Sequence, residues 1–137
     1  MAKTLPTWKD RQKQLYSKDR KLPPRELSRT ALACLEAGNL QDAMEYFAAA
    51  KDAAGLSKVE ALAVEEGDAF LLSSLERLTS QERPTDLWNR LGTKAFELEK
   101  YAFAKKAFER TKNEPMMAKV RSVLGEVPPE IAEDHVS

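Results

Sequence analysis

Histidine and cysteine are almost missing from this chain: 137 residues hold one of each, His135 and Cys34. A single cysteine excludes an intrachain disulfide framework, and neither C-x2-C nor H-E-x-x-H metal spacing occurs. Glycine is scarce as well, with five residues. None forms the G-x-G-x-x-G or G-x4-G-K-[ST] loops that cradle phosphates. Strand signals are thin, with no alternating β-branched runs and no Asn-Gly hairpin turn. No stretch approaches the roughly 18 apolar residues of a membrane span. Charges interrupt the N-terminal MAKTLPTWKDRQKQLY throughout, unlike a signal peptide. The expectation is a cytoplasmic protein with no cofactor, no metal and no membrane contact. Its formal net charge is zero, so the molecule as a whole is not built to attract polyanions.

What is present is helical. Hydrophobic residues make up 42% and charged residues 32%, the balance of a globular chain long enough for one compact core. The charge is unevenly spread. Residues 1–30 carry nine Lys/Arg against three Asp/Glu, a net of +6, and residues 31–137 carry a net of −6. Apolar residues recur at spacings of three and four. They predict helices at 8–20 (Thr7 as N-cap), 24–37, 40–53, 86–98 (Thr85 as N-cap), 101–112 and 115–124. Ser57 and Glu60 form an S-x-x-E capping box that predicts a further helix start. Gly67-Asp68 reads as a helix–helix turn, and Leu71, Leu72, Leu75 and Leu78 line the helix after it. Three segments follow: a basic arm or capping helix over 1–23, a helical domain over 24–124, and an acidic tail over 125–137.

An internal repeat runs through the domain. Leu27, Ala31, Leu40, Ala43 and Phe47 each have a counterpart 61 residues later, in Trp88, Gly92, Tyr101, Ala104 and Phe108. Small residues let two antiparallel helices approach, and the large ones fill the space where a hairpin stacks on its neighbours. Trp88-x2-Leu91-Gly92, then Tyr101-x2-Ala104-x3-Phe108, then Pro115 resembles the tetratricopeptide repeat (TPR) pattern. Ala95 stands where that family uses Tyr, and Thr111 replaces a small Ala. The first unit, 24–54, keeps Ala31, Ala43, Phe47 and Ala50 with Leu27 in place of Trp. The middle unit, 55–80, is degenerate, with Leu72 and Glu76 off the pattern. The resemblance implies an all-α, TPR-like solenoid of about three stacked hairpins, with a non-repeat helical bundle as the alternative.

Catalytic groupings are scarce. Cys34 falls on an apolar stripe and reads as a buried structural thiol. His135 lies in the tail, and carboxylates such as Glu65-Glu66 and Glu97-Glu99 read as solvated helix residues. The chain is therefore read as a non-enzyme. The resemblance implies a concave groove made by the first helices of the hairpins. Its candidate partner-binding residues are Arg25, Ser28, Leu32 and Glu36, then Asn89, Thr93, Phe96 and Glu97. Only Asn89 matches the carboxylate-clamping set of the subgroup that binds chaperone C-terminal tails, so such tails are not expected to bind.

The expected function is a small adaptor holding a protein or peptide partner. The alternatives are a self-assembling structural protein, with a homodimer covering an exposed end, and a nucleic-acid-associated protein. The last would use Lys9, Arg11, Lys13, Lys18, Arg20, Lys21 and Arg25 together with Trp8 and Tyr16. A cap with Trp8 and Leu15 docked on the first hairpin is the preferred reading of that arm, which argues against nucleic acid as the partner.

Overall fold

A computed structural model of the chain describes residues 5–16 and 22–125. The described residues form eight helices and no strand: α1 Trp8–Tyr16, α2 Pro24–Glu36, α3 Leu40–Ala50, α4 Ala53–Glu65, α5 Ala69–Thr79, α6 Thr85–Glu97, α7 Tyr101–Thr111 and α8 Glu114–Leu124. The predicted continuation of the first helix to 20 lies outside the described residues. So do His135 and, apart from Gly125, the tail.

Local chemistry sets the helix starts. Ahead of α1, the Asp10 N–H donates to Thr7 Oγ1 at 3.2 Å and the Thr7 N–H donates back to Asp10 Oδ2 at 3.1 Å. This reciprocal pair is a capping box with Asp in the acidic place. Pro23 and Pro84 hold the extended conformation just ahead of α2 and α6, with φ near −63 in both. Thr85 is therefore the first helical residue rather than the cap. Asp68 caps α5 by accepting from the Leu71 N–H at 3.0 Å. Asn113 caps α8 by accepting from the Met116 N–H at 3.3 Å.

The fourth helix departs from the sequence expectation. It begins at Ala53, four residues before Ser57. The cap is Asp52, whose Oδ1 accepts from the Gly55 N–H at 3.0 Å. Ser57 and Glu60 instead lie inside the helix, where they make no cap. The preceding helix stops at Ala50 because Lys51 turns left-handed, with φ 56.

The 61-residue register extends beyond the two hairpins that revealed it. Helices α1, α2, α3 and α4 start at 8, 24, 40 and 53; α5, α6, α7 and α8 start at 69, 85, 101 and 114. Every start is displaced by 61 residues. The terminators follow the same register. Thr7 and Asp68 cap equivalent helices, as do Asp52 and Asn113. Lys51 and Lys112 share φ 56 and ψ 38. The sequence is thus two successive four-helix segments, even where α1 and α5 share no obvious side-chain pattern.

The helices contribute to two compact units, one from the stretches Met1–Leu62 and Ser73–Gln81, the other from Ala63–Leu72 and Glu82–Ser137. In the first, α2 packs along α3, and α1 lies on α3. Leu27, Ala31, Cys34, Ala43, Met44, Tyr46, Phe47 and Val59 are buried. In the second, α6 packs on α7 and α7 on α8. Ala95, Ala104, Phe108, Met117 and Val120 form its centre, with Phe96, Tyr101, Phe103 and Met116 packed around them. Arg110 lies over the buried Trp88 indole, 4.6 Å from the ring centre.

Candidate functional site

Helix α6 buries Trp88, Leu91, Gly92 and Ala95 on one face. At a period of 3.6 residues, that leaves Asn89, Thr93 and Glu97 stacked on another, flanked by Arg90 and Lys94. These five side chains line an open cavity of about 370 Å³, completed by Val64 and Glu65 from the end of α4. The approach of α4 is set by Gly67. A Cβ there would lie 2.5 Å from Ala95 Cα, and its φ is +63, so glycine is required on both counts. The Lys100 ammonium also donates to the Glu66 carbonyl at 2.7 Å. Together these contacts place Glu65 in the same cavity wall as Arg90 and Lys94.

The cavity wall is of mixed sign. Lys94 Nζ lies 3.7 Å from Glu97 Oε2. Thr93 Oγ1 donates to the Asn89 backbone carbonyl at 2.9 Å, so its hydroxyl bonds back to its own helix. Asn89 is engaged internally: its Oδ1 accepts from Thr111 Oγ1 at 2.7 Å and from Asn113 Nδ2 at 3.2 Å. This side chain therefore ties α6 to the α7–α8 turn. The side chains left facing the cavity are charges of both signs, from Arg90, Lys94, Glu65 and Glu97.

The other sequence-predicted residues are placed elsewhere. Phe96 does not line this cavity; it packs edge-on against Tyr101, ring centres 5.5 Å apart, against the second core. In the first unit, Arg25 and Glu36 are exposed and Leu32 is half-buried. Ser28 is half-buried and donates to Asp52 Oδ2 at 2.9 Å. Ser28 and Asp52 are the register counterparts of Asn89 and Asn113, so the same bracing hydrogen bond recurs in both halves with different donors. Sequence reasoning missed Val64, Glu65, Arg90 and Lys94. The last two were within reach of it, one position along the helix from Asn89 and Thr93. The α4 residues were not, because only the Gly67 turn places them.

The basic arm is a docked helix over its described part. Arg11 forms ion pairs with Glu45 and Asp42 of α3, and Tyr46 Oη donates to Gln14 Oε1 at 2.6 Å. Leu15 is buried as expected, whereas Trp8 is 68% exposed and not docked. Lys18, Arg20 and Lys21 lie outside the described residues.

Among the described residues, no three His, Cys, Asp or Glu side chains converge in a way that could hold a metal. Burial, and then the nearby Asp42 charge, push the Cys34 thiol up and so disfavour its thiolate. Burial likewise pushes the Tyr46 phenol up. Among the described residues, no helix is long and apolar enough to cross a membrane. Compared with known proteins, the chain matches no family model, no curated protein and no solved structure.

Proposed function

We propose that this chain is a non-enzymatic scaffold of TPR-like hairpins that holds an extended segment of a protein partner along α6. The observation that carries this reading is the open cavity lined by Asn89, Arg90, Thr93, Lys94 and Glu97 together with Glu65. Asn89 is tied to α7 and α8, and the Gly67 turn lies close against Ala95. A pre-formed wall loses little entropy when a peptide lies on it. Its charges of both signs favour a partner segment of mixed sign over a uniformly acidic one. The ion pairs and hydrogen bond of α1 support a structural cap rather than a nucleic-acid arm, since Arg11 is already committed to Glu45 and Asp42.

The test is affinity purification of the tagged chain from its own cells, alongside Thr93→Arg. Thr93 is exposed and bonds only to its own helix, so the variant leaves the packing intact. The expected outcome is a polypeptide that co-purifies with the wild type and is lost with Thr93→Arg, while helicity and thermal midpoint stay unchanged. Recovery of the same set of proteins with both forms would remove the α6 wall from the function.

A further inference from the structure

A second surface lies at the other edge of the same unit. Tyr101, Ala102, Phe103 and Leu124 line an open, largely apolar groove of about 500 Å³, with Glu99 and Lys100 at its rim. Leu124 is 42% exposed. In the 61-residue register Leu124 stands where α4 has Ala63, which is fully buried. The place of Leu124 is thus covered in the first half and open in the second.

The register also identifies what fits there. Helix α8 is the counterpart of α4, and α4 is followed through the Gly67 turn by α5. Among the described residues, the one counterpart of α5 is α1. Helix α1 faces its own α3 through Arg11, Gln14 and Leu15. That leaves Leu5, Trp8 and Tyr16 exposed on a segment that also presents Lys9 and Lys13. A free indole complements an aromatic-lined, largely apolar groove. Charge complementarity holds for the chain as a whole, with a net of +6 over residues 1–30 and −6 over residues 31–137.

We propose that copies of this chain join head to tail, the exposed Trp8 end of α1 in one copy seating in the α7–α8 groove of the next. The contact is heterologous: the two surfaces differ, and each copy carries one of each. It uses neither Thr93 nor the α6 wall, so it stands or falls independently of the partner-binding reading.

Sedimentation velocity of the full chain across a wide concentration range tests this. The expected result is a mass that rises with concentration and falls back as salt is raised. Trp8→Glu and Leu124→Asp should each weaken self-association at least about tenfold, because each removes the central apolar anchor of one surface. Both positions are exposed, and unchanged helicity confirms that the variants fold. An equimolar mixture of the two variants should form a one-to-one dimer that stops there, since each retains a different intact surface. Acrylamide should quench Trp8 less in concentrated wild type than in concentrated Leu124→Asp.

A wild-type chain that remains monomeric at every concentration would overturn the proposal, as would a mixture that fails to pair. A monomeric wild type whose thermal midpoint drops with Leu124→Asp would also overturn it, since Leu124 would then belong to the chain's own packing.

Discussion

Phe47 and Phe108 are register counterparts, both buried, yet each needs a glycine at a different place. A Cβ on Gly55 of α4 would lie 2.1 Å from the Phe47 ring, and a Cβ on Gly92 of α6 would lie 2.7 Å from the Phe108 ring. The counterpart of Gly92 is Ala31, and the counterpart of Gly55 is Met116. One small-for-large exchange has thus been made in opposite senses in the two halves, leaving each ring a different neighbour to lean on. Gly55→Ala and Gly92→Ala should each cost about 1–3 kcal/mol by overpacking. The cost of Gly55→Ala should shrink in an Ala31→Gly background, where the Phe47 ring has space on its other side. A double-mutant cycle in urea unfolding reads this coupling directly, and strict additivity would show that Ala31 and Gly55 do not compete for one ring.

At the scale of the element, what begins and anchors each helix decides the outcome. Asp52 caps α4, and its carboxyl is held below the usual range by the Gly55 N–H and, after that, by the Ser28 hydroxyl. Such a lowered group adds stability above its ordinary pKa, near 4, and loses it as pH falls through the lowered value. Asp52→Asn keeps the cap, as Asn113 does at the equivalent place. Its thermal midpoint should lie below the wild type at about pH 7, where the carboxylate contributes its stability, and the gap should close on acidification to about pH 2. Helix α1 gives a second element-scale prediction. Leu15 is buried and Trp8 is not. In dilute solution Leu15→Ala should cost about 2–4 kcal/mol, whereas Trp8→Ala should stay within about 0.5 kcal/mol. Equal losses in chemical unfolding would mean that Trp8 anchors the helix after all.

For the whole molecule, the proposals place two surfaces on one unit and give them separate tasks. The α6 wall is mixed in charge and is proposed to take a foreign segment; the α7–α8 groove is apolar and is proposed to take another copy. Separate surfaces should be separable by mutation. Thr93→Arg should abolish partner capture and leave the sedimentation behaviour unchanged, and Leu124→Asp should do the reverse. A variant that alters both measurements would mean that partner binding and self-association are one event.

Much of the helical content was legible from residues acting locally. Apolar spacing marked α2, α3, α6, α7 and α8 to within a few residues, and Thr7, Gly67 and the prolines marked boundaries because their backbone preferences need no partner. Ser57-x-x-Glu60 misled for the same local reason: it is a sound capping box by itself, but Asp52 offers an earlier cap that α2, through Ser28, helps to hold. The 61-residue spacing was visible in five large and small side chains. Its extension to α1 and α5 was not, because a polar helix and an apolar one share only their start points. The candidate groove was half legible, since helical periodicity places Asn89, Thr93 and Glu97 on one face. Periodicity could not tell that Phe96 turns to Tyr101, nor that Val64 and Glu65 complete the wall. The sequence alone determined that the described residues fold as helices, because helix formation and capping are short-range. Only the tertiary structure decided which exposed side chains share a surface, because that depends on close approaches such as Gly67 against Ala95, made by residues far apart in the chain.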